Sequence, residues 1–392
     1  MMGNVYLIIV DGLGVGAQED AAEYGDENMN TLGHVLEETG MKLPNLQKMG
    51  LGNIIPLASV PENEEPLAAY GKLREVSAGK DSTTGHWEIA GIQLEKPFPT
   101  YPKGFPKEVM DAFCEGIGVD KALCNKPYSG TDVIRDYGEE HLKTGNPIVY
   151  TSADSVFQVA CHDDVVAVEK LYEWCEFARN EICVGEHEVG RVIARPFTGK
   201  PGKFERISDK RHDYSSVPPE NNVVKRLYDS GTKTYSIGKV ADLFGGKGFT
   251  QYRPTKSNAE GISQLLSLMS ADLDNSFVFV NLIDTDQLYG HRLNPKGYAE
   301  SLEEFDRAIP AIVSKVREDD LLIITGDHGN DPCSTSTDHS REFVPLVVFP
   351  KGAASQENLG TGDTFSNIAK SVAEFFELPN DFLGSSFLKN KM

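Results

Sequence analysis

The sequence predicts an α/β protein: a mostly parallel sheet flanked by helices, with an α+β domain inserted into it. Three observations lead there. Short continuous apolar runs at 5–10, 277–283, 321–324 and 345–349 have the length and β-branched content of strands buried on both faces. Helical stretches at 258–269, 297–316 and 365–376 alternate with them, the rhythm that builds parallel sheets. Between 97 and 216 that rhythm stops, and Pro-rich sequence (FPTYPKGFP, then SSVPPE) marks both joins. The chain therefore divides into a core of 1–96 with 217–392 and an insert of 97–216.

A chain of 392 residues can hold two or three domains, each with its own core, and 40% hydrophobic with 25% charged residues is ordinary globular composition. The net charge of −21 argues against a general nucleic-acid or anionic-membrane surface, so an anionic small molecule would need a local basic or metal-lined site. No apolar run approaches the roughly 20 residues of a membrane span. The apolar run at 5–10 has no basic residue before it and no cleavage site after it, so no leader is expected. The six cysteines form no CxxC pair and no zinc spacing, which suits reduced thiols in the cytoplasm. Nothing points to an obligatory protein partner.

Residues 5–10 (VYLIIV) run into DGLGVG, which superficially resembles a dinucleotide-binding fingerprint. An Asp precedes the first Gly and no helical pattern follows, so the better reading sets Asp11 at a strand end among small neighbours that admit a metal or phosphate. Residues 31–38 predict a short helix stopped by Gly40, in which His34 reads as packing. In KDSTTGHWEIAG (80–91), Ser82, Thr83 and Thr84 stand at a helix start. They serve either a phosphate or a plain N-cap with Glu88 as capping-box partner. The insert combines strand-like runs at 147–151 and 190–196 with a helix at 168–179 and the polar loop TSADS. Its Arg191, Arg195, Arg206, Lys210, Arg211 and His212 form either a solvated face or a phosphate cradle. Past 219, a helix to about 229 and a strand at 232–237, ending in Gly238 and Lys239, restore the alternation.

Three strand ends then deliver acids and imidazoles: Asp11, Asp286 with His291, and Asp327 with His328. Parallel strands align their carboxyl ends on one edge, where open α/β sheets bind ligands. His339 lies on a following loop rich in Gly, Pro, Ser and Thr that can fold back to the same edge. One Asp-His pair alone could be a cap and a surface histidine. Recurrence at separate strand ends favours two sites of three ligands each. Oxygen and nitrogen ligands without thiolate suit Mn²⁺ or Zn²⁺, and an anionic oxygen can bridge two such ions at about 3.5–4 Å.

The segments VDGLGVG, SAGKDSTTGHWEIAG, NKPYSGT, IVYTSADSVFQ, GRVIARPF, RHDY, IGKVADLF, DTDQLYGHR and TGDHGNDP with TDHSRE together resemble the metal-dependent prokaryotic phosphopentomutases of the alkaline phosphatase superfamily, over essentially the whole chain. The resemblance implies an alkaline-phosphatase-like two-metal core with an inserted cap. It implies interconversion of α-D-ribose 1-phosphate and D-ribose 5-phosphate, with the 2-deoxyribose pair also accepted. Asp11, Asp327 and His328 would hold one metal, and Asp286, His291 and His339 the other. Asp154 would meet the ribose hydroxyls, and Arg191, Arg206 and Lys239 the distal phosphate. The family's phosphorylated nucleophile is a Thr directly after the Asp of GKD; here Ser82 stands there, with Thr83 the alternative. Gly12 also departs from the family's more frequent Ser. Expected cofactors are two divalent cations, Mn²⁺ foremost, and a sugar bisphosphate activator, ribose 1,5-bisphosphate or glucose 1,6-bisphosphate. A serine hydroxyl is a poor nucleophile at neutral pH, and two cations beside it would lower its pKa and screen an approaching phosphate. The alternative within the superfamily is a phosphoglycerate mutase or a phosphatase. From another class, the alternative is a catalytically inactive metal-binding protein.

Overall fold

A computed structural model of the chain describes residues 3–57, 59–152, 155–271 and 273–389. Two compact units emerge, Met1–Lys96 with Pro218–Met392, and Pro97–Val217.

The first unit is built on an eight-stranded sheet. From edge to edge its strands are Gln251–Arg253, Lys233–Ile237, Ser276–Leu282, Val5–Val10, Leu321–Thr325, Val344–Phe349, Ala69–Leu73 and Asn358–Gly362. The block from Gln251–Arg253 to Leu321–Thr325 is parallel throughout. Val344–Phe349 runs antiparallel to both its neighbours, and Asn358–Gly362 is again parallel to Ala69–Leu73. The central strand Val5–Val10 is buried along its whole length. On one face Tyr6, Ile8 and Val10 pack with Leu302, Phe305 and Ile309 of helix Pro295–Val313, Leu265 of Asn258–Ser270 and Leu36 of Thr31–Thr39. Burying each such side chain contributes about 1.5–3 kcal/mol, so the strand and whatever leaves its end are placed by the core.

Local chemistry sets two helices that matter below. Thr31–Thr39 starts where the Asn30 side chain accepts from Gly33 N and stops at Gly40, whose φ of +63° is left-handed. His34 in it does more than pack: its Nδ1 lies 2.5 Å from Asp331 Oδ2. Ser82–Ile89 is capped by Asp81, whose Oδ1 accepts from Thr83 N (2.9 Å) and Thr84 N (3.2 Å). No capping box forms with Glu88, because its buried carboxylate accepts instead from Val76 N, Ser77 N, Thr364 Oγ1 and Phe365 N.

The second unit carries a six-stranded sheet, in the order Leu123–Pro127, Ile148–Thr151, Val156–His162, Arg191–Lys200 and Lys203–Arg206, with His212–Ser215 also pairing to Arg191–Lys200. Alternation along Ile148–Thr151 serves both faces. Val149 joins Phe113, Phe157 and Leu171 under helices Lys107–Ile117 and Val168–Phe177. Ile148 and Tyr150 join Val133 and Ile134 of helix Gly130–Thr144 on the other face.

Candidate active site

Val5–Val10 lies between Ser276–Leu282 and Leu321–Thr325, with Val10 opposite Leu282 and Ile9 opposite Thr325. Asp11, Asp286 and Asp327 leave these three strand ends on one edge. The loops are tied together there: Asp11 N donates to Leu282 O and Gly12 N to Asp327 Oδ1, both at 3.0 Å. Gly12 takes a φ of +73°, and a Cβ there would stand 3.1 Å from the Asn330 side chain, so the turn after Asp11 calls for glycine. The loop after His328 closes on itself, since Gly329 and Ser340 exchange backbone hydrogen bonds at 3.1 and 2.8 Å. His339 is thereby returned to the edge, its ring centroid 4.0 Å from that of His328.

All six side chains converge in two groups. Asp11, Asp327 and His328 each offer a ligand atom within 4.8 Å of one another, and so do Asp286, His291 and His339. A third grouping, His162, Asp163 and Asp164, has its imidazole already engaged. His162 Nδ1 accepts from Asp164 N at 3.1 Å and Nε2 lies 2.9 Å from Gly199 O.

Charge holds each group together. His328 Nε2 lies 3.3 Å from Asp327 Oδ2 and 3.5 Å from Asp11 Oδ1; His291 and His339 place Nε2 at 3.3 and 3.4 Å from the Asp286 carboxylate. Burial alone would raise the Asp286 and Asp327 carboxyls, but the facing imidazoles, His339 and His328 respectively, hold both well below the usual range. Burial likewise opposes the His328 imidazolium, and Asp327 overrides it and pushes that group well above its ordinary value. The opposite ring nitrogens face carbonyls: His291 Nδ1 is 2.7 Å from Thr337 O and His328 Nδ1 3.1 Å from Gly329 O. With Nδ1 donating to a carbonyl, Nε2 is the nitrogen that would lose its proton to a cation, the tautomer a metal-binding imidazole needs. Asp11 Oδ1, Asp327 Oδ2 and His339 Nε2 are buried without a hydrogen bond among the described residues. Buried N and O atoms that meet one another only as loose charge pairs at 3.1–3.5 Å fit divalent cations.

Ser82 opens its helix with Oγ 3.0 Å from His328 Nε2 and 2.9 Å from Lys239 Nζ. Its hydroxyl thus reaches the cluster, while Thr84 Oγ1 donates to Asp81 Oδ2 at 2.6 Å. Lys239 Nζ also lies 2.6 Å from Asp11 Oδ2. Burial lowers the pKa of Lys239, but Asp11, Asp286 and Asp327 outweigh it, so the ammonium is held charged. Lys239, which the resemblance assigns to a distal phosphate, thus stands beside the hydroxyl. Arg191, in the second unit, has Nη1 3.4 Å from Asp213 Oδ2, and Arg206 is exposed on Lys203–Arg206. Asp154 lies outside the described residues.

Two site residues escaped the sequence analysis. His86 Nδ1 lies 2.8 Å from Ser82 O and 3.1 Å from Asp327 Oδ2, and Asn330 Nδ2 donates to Asp286 Oδ1 at 2.7 Å. The spacing of Ser82 and His86, one helical turn apart, was a usable signal for the first. Asn330 left none.

A model of the metalloenzyme superfamily matches residues 3–380. The chain is 51% identical over 389 residues to the phosphopentomutase of Caldanaerobacter subterraneus subsp. tengcongensis, spanning 99% of this chain and 98% of that one. To the phosphopentomutase of Dictyoglomus turgidum it is 50% identical over 388 residues, spanning 99% and 98%. Among solved structures it is similar to the phosphoglycerate mutase of Leishmania mexicana crystallised at low cobalt concentration, at 11% identity over 100% of this chain and 98% of that one, with a TM-score of 0.49.

Proposed function

The chain belongs to the phosphopentomutase family within the metalloenzyme superfamily, which makes it a metal-using isomerase of pentose phosphates, and we propose that it interconverts α-D-ribose 1-phosphate and D-ribose 5-phosphate, together with the 2-deoxyribose pair, through a phosphorylated Ser82. The observation that carries this is a single hydroxyl, Ser82 Oγ, in contact with both His328 and Lys239 beside two three-ligand groups. Two divalent cations, Mn²⁺ by preference, would be held by Asp11, Asp327 and His328 and by Asp286, His291 and His339, and would supply Lewis acidity together with a lowered hydroxyl pKa.

Ser82 sits at the first turn of its helix, where the positive end of the helix dipole favours a phosphoryl group. In the resting enzyme it carries that group. The C1 hydroxyl of ribose 5-phosphate takes the phosphoryl group from Ser82, giving ribose 1,5-bisphosphate. After reorientation Ser82 Oγ accepts the 5-phosphoryl group and ribose 1-phosphate leaves. Lys239, kept protonated among the carboxylates, faces the reacting oxygen and offsets charge on the transferring group. His86 fixes the carbonyl of Ser82 and the Asp327 carboxylate together. Arg191 and Arg206 hold the distal phosphate and Asp154 the ribose hydroxyls. A sugar bisphosphate, ribose 1,5- or glucose 1,6-bisphosphate, primes Ser82. Six free cysteines suit a cytoplasmic location, and no helix among the described residues is long and apolar enough to cross a membrane.

The test is ³¹P NMR of the Mn²⁺-loaded protein with ribose 1-phosphate. The ribose 5-phosphate signal should grow in and stop on chelation. Preferential turnover of 3-phosphoglycerate would move the reading to the phosphoglycerate mutases. For the distal phosphate, Arg206→Ala should raise KM for ribose 5-phosphate severalfold, and an unchanged KM removes Arg206 from the site.

A further inference from the structure

We infer that the second unit holds a phosphate-binding site of its own at the start of helix Gly130–Thr144, made by the Gly130 and Thr131 amides, the Tyr150 hydroxyl and the Arg195 guanidinium. The inference goes beyond the proposed reaction and needs no turnover. Ser129 caps this fifteen-residue helix, its Oγ accepting from Asp132 N at 3.1 Å and its carbonyl from Val133 N at 3.0 Å. The first-turn amides of Gly130 and Thr131 have no partner within the helix and point outward.

A second observation is independent of the helix. Tyr150 is 0% exposed, yet its Oη has no hydrogen-bond partner among the described residues. A phenol buried in that state is costly unless something accepts its proton. Its hydroxyl is aimed at the same turn: a Cβ placed on Gly130 would lie 3.0 Å from Tyr150 Oη and 3.6 Å from Arg195 Nη1. Glycine lets both groups close on the backbone. Arg195 is braced from behind, Nε donating to Gln158 Oε1 at 2.7 Å, which leaves its Nη groups for another acceptor. Asp132, the acid nearest in sequence, turns its carboxylate to Ser129 Oγ at 2.7 Å and to Arg135.

Burial pushes the Tyr150 pKa up to about 12 against the pull of Arg195, so at neutral pH the hydroxyl is a donor. Every group converging here is therefore a donor, and one is a guanidinium. In a chain of net charge −21 such a place selects a compact oxyanion with several acceptors, a phosphate group, either free or as a monoester.

Hydrogen exchange read by mass spectrometry on the Mn²⁺-loaded full chain tests this. Inorganic phosphate at constant ionic strength should slow exchange in the segment 130–134. Tyr150→Phe and Arg195→Gln should each raise the half-saturating concentration by about fivefold or more, the loss of one hydrogen bond. The thermal midpoint of phosphate-free Tyr150→Phe should be unchanged or raised, because the deleted hydroxyl had no partner. Protection of the segment by ribose 5-phosphate below the inorganic phosphate concentration would identify a monoester as the occupant, and protection only above it the free anion. No protection at 130–134, or the same half-saturation in both variants, overturns the site. That failure would leave the mutase reading standing, since turnover is not what is read.

Discussion

Ser82→Ala is expected to lower turnover by on the order of 10⁵-fold or more, the scale on which nucleophile deletions act, and to abolish covalent phosphate at the same time. The two losses must come together because one oxygen makes both contacts, at 3.0 Å to His328 Nε2 and 2.9 Å to Lys239 Nζ. The variant should fold and bind metal. Asp81, not Ser82, caps the helix, and none of the six acids and imidazoles is replaced. Intact mass and phosphopeptide mapping, before and after ribose 5-phosphate, read the covalent state directly. Thr83→Ala should keep both turnover and label. Retention of either by Ser82→Ala would transfer the role to Thr83, whose amide shares the same cap.

How much of this was legible in the sequence depends on the range over which each feature is determined. The strands at 5–10, 277–283 and 321–324 were readable because burial on both faces demands continuous apolar runs, and Asp11, Asp286 and Asp327 followed from strand ends alone. The neighbour order that puts Val5–Val10 between the other two is a long-range fact with no local signature. Ala69–Leu73 and Asn358–Gly362 were missed because they are short, only partly buried and carry glycine, and Ala69–Leu73 joins the sheet through an antiparallel pairing. In the insert, helices Lys107–Ile117 and Gly130–Thr144 passed unread amid Pro-rich and polar sequence. His34 read as packing by its spacing, and only the fold brings Asp331 to it from far along the chain.

The same long-range logic hides a residue whose loss should be severe. Arg341, two positions past His339, is 2% exposed and spends every donor. Nη1 donates to Ser77 O (2.8 Å) and Gly79 O (2.7 Å), Nη2 to Glu75 O (2.8 Å) and Asp20 Oδ2 (2.9 Å), and Nε faces Asp20. The guanidinium also lies 3.1 Å from the Glu75 carboxylate, itself 1% exposed. It therefore clamps residues 75–79, the approach to Ser82, onto the loop that carries His339. Arg341→Met keeps the length of the side chain and strands a buried acid and three carbonyls, so we expect a loss of about 3–5 kcal/mol in urea unfolding of the first unit. The loss has a definite sign with pH. Burial already lifts the Glu75 carboxyl well above its ordinary range, with Arg341 opposing, and removing Arg341 lifts it further. A group raised on folding stabilises below its unfolded pKa, about 4.3, and ceases to do so as pH climbs through the folded value. Arg341→Met should accordingly cost less at pH 5 than at pH 7.5, and adding Glu75→Gln should recover part of the loss at the higher pH. An equal cost at both pH values, with no recovery in the double variant, would mean that the carbonyl clamp alone, and not the ion pair, is what Arg341 provides.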